Sequence, residues 1–316
     1  MAEQKILVAS EDYVELDDYF GDNDVKSIFL VCDSSMPFLR ISKYFDYLKV
    51  HKGIEVVKFS NFKPNPFYES VVEGVKLFYR TGCDMIVAVG GGSTIDVAKC
   101  IKLFSNMNTN KNYLTQQIIP NDLKFLAVPT TAGTGSEATR YAVIYYNGDK
   151  QSVTDYSCIP STVLMDASAL KTLPIYQKKS TMMDALCHSI ESYWSVNSTE
   201  ESNKYSKQAI QTILENKDAY LANKDLGNAN MLKAAYLAGK AINITQTTAG
   251  HAMSYKLTSL YGIAHGHAVA ICISKLWEYM LEHPERCIDS RGIGFLNNIY
   301  CEIADSMGCV TVPEAV

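Results

Sequence analysis

Six histidines occur in the chain, and His188, His251, His265 and His267 fall in its second half beside other polar residues. The run DALCH puts Asp184 four residues before His188. On a helix that spacing places both side chains on one face, a turn apart, where they can ligate one divalent ion. Glu191 continues the same face and is placed to orient a ligand from behind. His251 and His265 stand fourteen residues apart, too far for one turn, though neighbouring helices can bring them together. One carboxylate with three imidazoles suits Fe(II) or Zn(II) better than Mg(II) or Ca(II), which favour oxygen shells. A single Asp–His pair at this spacing is more often an ordinary helix-face contact. Four such residues beside an apparent nucleotide-binding half point to a metal.

That other half carries its own chemistry. Gly90-Gly91-Gly92-Ser93 follows an apolar run directly and precedes a helical pattern starting at Thr94 or Ile95. Backbone without Cβ atoms approaches an anion closely, and the free N–H groups of a helix start point at it, so a phosphate or pyrophosphate is the natural guest. A tight turn would account for the glycines alone. No GxxxxGK[ST] loop is present, and no GxGxxG follows the first strand, so neither ordinary nucleotide fingerprint applies. Asp33 ends the run SIFLVCD, where a carboxylate can accept from ribose hydroxyls and repel a 2′-phosphate. A second small-residue loop, Thr130 to Glu137, again follows an apolar run and offers several hydroxyls for a phosphate or an adenine edge.

Positioning these groups requires two kinds of scaffold. In the first half, SIFLVCD and GIEVVKFSNF read as strands, and Tyr68, Val71, Val72, Val75 and Phe78 recur at helical spacing before a stop at Gly82. DMIVAVGGGSTIDVAKCIKLF reads as strand, glycine turn and helix, and FLAVP as a strand broken at Pro129. Strands separated by helices imply a mostly parallel, helix-covered sheet. From about Leu173 onward four long segments carry apolar residues every three or four positions, which predicts a helical bundle, with Ser198 or Thr199 capping one helix. The expected organisation is an α/β dinucleotide-binding domain over 1–173 and an all-α metal and substrate domain over 174–316, with a cleft between them. With 29 Lys plus Arg against 34 Asp plus Glu, the net charge of −5 argues against nucleic acid as a partner. The apolar runs are too short to span a bilayer, MAEQKILVAS is not a signal peptide, and nine scattered cysteines without a CxxC pair suit a reduced, cytoplasmic protein.

Taken together, PNP at Pro64 to Pro66, GGGSTIDVAK at Gly90 to Lys99, PTTAGTGSEAT at Pro129 to Thr139, DALCHSIE at Asp184 to Glu191 and the His251/His265 pair resemble the iron-containing (group III) alcohol dehydrogenases, over nearly the whole chain. The resemblance implies a dehydroquinate synthase-like architecture, a dinucleotide-binding α/β domain followed by a helical metal domain. It implies iron, with zinc as the alternative, on Asp184, His188, His251 and His265. It also implies NAD, ahead of NADP because of Asp33, on Asp33, Asn65, Gly91, Gly92, Ser93, Thr94, Thr130, Thr131, Thr134, Thr139 and Lys150. The activity implied is hydride exchange with a small aldehyde or alcohol. Two features depart from the family. Tyr255 stands where many members have a histidine that relays the substrate proton, which makes Tyr255 the candidate relay. The chain also ends where members continue through several more helices. The wording SEATRYAVIYYNGDKQSV and HAMSYKLTSLYGIAHGHAVA is closest to a branch that reduces phosphonoacetaldehyde, and Arg140 is the candidate anchor for a phosphonate. A homo-oligomer is expected. The competing expectations are a lyase of the dehydroquinate synthase type and a non-catalytic, truncated cofactor-binding protein.

Overall fold

The computed structural model describes residues 4–316. The chain divides into two compact units: Met1–Thr131 with Ser136–Thr172, and Ala132–Gly135 with Leu173–Val316. In chain order the first contains β1 (Lys5–Val8), α1 (Val14–Asp22), β2 (Ser27–Cys32), α2 (Ile41–Tyr47), β3 (Glu55–Phe59), α3 (Tyr68–Thr81), β4 (Met85–Gly90), α4 (Gly92–Phe104), β5 (Lys124–Pro129), β6 (Tyr141–Tyr146), β7 (Asp149–Thr154) and β8 (Thr162–Met165). Six strands form one parallel sheet in the order β1-β8-β5-β4-β2-β3.

The alternation of side chains explains why these strands read as unbroken apolar runs. Phe29 and Val31 of β2, with Ile86 and Ala88 of β4, join a core with Val71, Val75 and Phe78 of α3 and Ile101 of α4. Ile28, Leu30 and Cys32, with Met85, Val87 and Val89, join the opposite core with Leu16 and Phe20 of α1 and Ile41 and Phe45 of α2. Both faces are covered, so every residue of β4 is buried. Helix α3 ends on Gly82, whose φ of 62° closes the helix in the left-handed region as the Gly stop predicted. Helix α4 starts at Gly92, two residues ahead of the expected Thr94. One element was not anticipated: β6 and β7 form a separate antiparallel hairpin, tied to the loop before α3 by Tyr145 N donating to Pro66 O at 2.8 Å.

The second unit contains α5 (Ile175–Trp194), α6 (Glu200–Leu221), α7 (Asp225–Thr245), α8 (Ala249–Tyr261), α9 (His265–Glu282) and α10 (Ile293–Ser306). Helix α5 packs against α6, α7 and α9, and α8 packs on α9. Thr199 caps α6 through a reciprocal pair with Ser202, one of the two cap positions read from the sequence. No helix among the described residues is long and apolar enough to cross a membrane.

Candidate functional site

In the α/β unit the parallel connections leave β2 in one direction and β4 in the other. The carboxyl ends of these two neighbouring strands therefore form the switch point at which such sheets bind ligands. Asp33 follows β2 there, and the glycine loop follows β4. The two are joined directly: Thr94 Oγ1 donates to Asp33 Oδ2 at 3.0 Å, and Ser35 N to Asp33 Oδ1 at 2.8 Å. Gly90 is what permits this, because a Cβ at Gly90 would lie 2.2 Å from Thr94 Oγ1. Asn65, with φ 58°, donates from its backbone N to Ser93 Oγ at 3.3 Å. Asp33, Asn65, Ser93 and Thr94 are thus brought around the start of α4.

Other expected residues are placed differently. Thr130 and Thr131 follow β5 in the α/β unit, whereas Thr134 belongs to the short stretch that clusters with the helices. Thr139 is buried, and its hydroxyl accepts from Lys99 Nζ at 3.1 Å and donates to Ser136 O at 3.3 Å. Lys150 lies on β7, and burial lowers its ammonium to about 8 against the opposing charge of Asp96. The Arg140 guanidinium rests 4.7 and 4.8 Å from the ring centroids of Tyr141 and Tyr156 and donates to the Tyr156 hydroxyl at 2.9 Å.

Sequence reasoning passed over two residues inside the quoted motif. Lys99 is fully buried, and its Nζ donates to Ser136 Oγ (3.2 Å), Thr139 O (2.7 Å), Thr139 Oγ1 (3.1 Å) and Tyr141 O (2.7 Å). Asp96, one turn earlier on α4, accepts from Ser136 Oγ at 2.7 Å and from Val143 N at 3.1 Å. Together they fasten residues 136–143 to the helix that carries the glycine loop. The only signal was an i, i+3 pair of opposite charge on a mostly apolar helix.

In the helical unit Asp184, His188 and His251 are all buried and offer ligand atoms that lie within 4.8 Å of one another. Asp184 and His188 come from successive turns of α5, and His251 from the first turn of α8. His265, the first residue of α9, stands beside them with Nε2 3.8 Å from Asp184 Oδ1, and its side chain is 37% exposed. The ring of Tyr255 stacks on that of His265 at 5.9 Å, with 6° between the planes.

Glu191 organises this cluster from behind. It accepts from Thr248 N (3.0 Å), Thr248 Oγ1 (2.7 Å), His251 N (3.2 Å) and His251 Nδ1. The last contact leaves His251 Nε2 facing Asp184 Oδ1 at 3.6 Å. Burial opposes charge on Glu191, but hydrogen bonding to His251 prevails and holds its carboxyl down at about 2. Burial likewise opposes charge on His251, and the two carboxylates raise it to about 9. Burial dominates at His188 and lowers it to about 4. Asp184 stays ionised against its burial because imidazoles surround it.

Whether a metal fits can be judged from the donors themselves. Asp184 Oδ1, His188 Nδ1 and His251 Nε2 are buried and have no hydrogen-bond partner. Each such orphan costs roughly 1–3 kcal/mol. A carboxylate and imidazoles converging on one point are the donor set that a first-row divalent cation requires. The residues fit the ion.

The pKa shifts set a pH window for the metal-free protein. Glu191 is depressed, so its contribution is complete above pH 4.5 and fades as pH falls through about 2. His251 is raised, so its contribution is complete below pH 6.5 and fades as pH rises through about 9. Metal-free wild type should therefore exceed Glu191→Gln by about 3 kcal/mol between these limits, as read by urea denaturation, with the gap narrowing on both sides. A gap independent of pH would disprove the pairing.

Two family models match the chain. One described as iron-containing alcohol dehydrogenase covers residues 3–167, and the C-terminal model of the Fe-containing alcohol dehydrogenase family covers residues 178–314. The 1,3-propanediol dehydrogenase of Klebsiella pneumoniae is 32% identical over 84% of this chain and 70% of its own length. The phosphonoacetaldehyde reductase of Streptomyces viridochromogenes is 31% identical over 71% of this chain and 60% of its own length. Among solved structures, a 1,3-propanediol oxidoreductase superposes with a TM-score of 0.84 at 29% identity, over 96% of this chain and 78% of its own.

Proposed function

This chain belongs to the iron-containing alcohol dehydrogenase family and is an oxidoreductase acting on alcohols, and from that premise we propose that it interconverts a small aldehyde and its primary alcohol with NAD(H), on a divalent metal held by Asp184, His188, His251 and His265. The observation that carries this reading is the convergence of Asp184, His188 and His251, all buried, with ligand atoms within 4.8 Å of one another in the helical unit. When bound, the metal polarises the carbonyl oxygen and the nicotinamide supplies hydride.

The chain's own groups do the rest. The N-terminus of α4 presents backbone N–H groups for a pyrophosphate, and Asp33, already oriented by Thr94 and Ser35, keeps acceptor capacity for ribose hydroxyls. Asn65, Gly91, Gly92, Ser93, Thr130, Thr131, Thr134 and Lys150 complete the assignment, with Thr139 acting through Lys99. Glu191 fixes the tautomer of His251, so that Nδ1 keeps its proton and Nε2 is the ligand atom. Tyr255, one turn beyond His251, holds at its hydroxyl the proton that the reduced substrate oxygen takes up.

Purified protein should contain one divalent ion per chain and oxidise NADH in the presence of small aldehydes. Replacing His265 by Ala should lower metal occupancy and activity together. Retention of stoichiometric metal at unchanged affinity would remove His265 from the ligand set.

The preference for NADH over NADPH should be about tenfold to a hundredfold, from repulsion between Asp33 and a 2′-phosphate worth roughly 1–3 kcal/mol. Asp33→Gly should relax it. Equal kcat/KM for both cofactors in the wild type contradicts the role of Asp33.

For the substrate, the finer reading is phosphonoacetaldehyde, supported by the wording of the chain and by the reductase relative. A dianion in a dry site needs a cation, and Arg140 would supply it by giving up its bond to Tyr156. Under this reading Arg140→Ala raises KM for phosphonoacetaldehyde at least tenfold more than for propanal. Equal losses on both make Arg140 structural, and a wild type that prefers propanal returns the chain to general alcohol chemistry.

A further inference from the structure

Helix α9 begins at His265 with Ala264 as its N-cap residue, and alanine has no side chain with which to satisfy the free N–H groups of a helix start. The acceptors come instead from α5. Tyr176 Oη accepts from Ala264 N at 3.4 Å and also meets His267 Nδ1 at 3.2 Å. Ser180 Oγ, buried one turn further along α5, accepts from His267 N at 3.2 Å. Between these contacts Gly266 lies against the backbone of α5, where a Cβ would be 2.0 Å from Ser180 O and 2.7 Å from Asp184 Cβ.

Tyr176, Ser180, Asp184 and His188 are spaced every four residues, so they form one stripe along α5. The lower half of the stripe holds the start of α9, and the upper half carries two of the converging donors. His265 is thereby brought to 3.8 Å from Asp184, although it is the exposed member of the group and sits at the first position of its helix.

We propose that Tyr176 and Ser180 are positioning residues that fix His265 against Asp184 by capping α9 from α5. The proposal rests on the metal-site reading above. Neither residue is a ligand. Both act on the ion through the place of His265. Groups that orient a ligand in this way typically change metal affinity tenfold to a hundredfold when removed.

The test uses Zn(II) alone as probe, with no dinucleotide or aldehyde present. Its dissociation constant is measured by competition with a chelating dye on the full chain. Wild type, Ser180→Ala, Tyr176→Phe, His265→Ala and the two double variants with His265→Ala are compared. Ser180→Ala should weaken Zn(II) binding about tenfold or more, and Tyr176→Phe about threefold to tenfold. In the His265→Ala background neither substitution should weaken binding further, because the residue through which each acts is gone. Full additivity in the double variants, or wild-type affinity in both single variants, overturns the proposal while leaving the metal site standing. A wild type that binds no Zn(II) overturns both. Tyr176→Phe removes one oxygen from a half-exposed side chain, so it keeps the test decisive if Ser180→Ala does not fold.

Discussion

Helices α8 and α9 each begin on a residue whose own side chain makes no capping bond, Thr248 and Ala264, and in both cases the missing acceptor is on α5. Glu191 receives the backbone N–H groups of Thr248 and His251 at the head of α8, while Ser180 and Tyr176 receive those of His267 and Ala264 at the head of α9. A helix start carries partial positive charge, so a buried carboxylate at the head of α8 is stabilised in its ionised form. This is consistent with the depressed proton affinity of Glu191. The same carboxylate then reaches the ring of His251. One side chain thus ends a helix, orients an imidazole and sets that imidazole's tautomer. All four candidate ligands are referred to α5, two as its own residues and two through its caps.

The α/β unit shows a related economy. Asp96 and Lys99 face the loop after β5 from one side of α4, and the head of that helix carries the glycine loop. Burying a lysine is costly unless its donors are used, and here the backbone carbonyls of Thr139 and Tyr141 and two hydroxyls use them. Residues 136–143 and the glycine turn are consequently held by one helix.

Much of this was legible in the residues. The sheet could be read because both its faces are covered, which leaves strands such as Met85–Gly90 uniformly apolar, and the helices because their apolar positions recur at three and four. Asp184, His188 and Glu191 could be placed on one face by counting alone. The hairpin of β6 and β7 was not seen, since YAVIYY and DKQSVT are half-exposed and mix polar with aromatic residues. Nor could counting reveal Lys99, Ser180 or Tyr176 in their roles. Their partners lie 37 to 91 residues away, and on its own helix each looks like an ordinary polar position. Propensity and spacing report what a residue does within its element. A cap supplied by another helix is invisible at that level.

The close approach at Gly266 bears on which ion the site accepts. A ligand held by a flexible side chain alone can follow an ion of any radius, whereas His265 is carried on a helix whose backbone already touches that of α5. The spacing between the backbones that carry Asp184 and His265 is limited by this contact. The two side chains therefore adjust to an ion by rotating, not by moving their backbones apart. Nitrogen and oxygen donors by themselves favour copper over its neighbours in the first transition row. A frame of fixed span resists that ordering, because discrimination passes from donor affinity to size and angle.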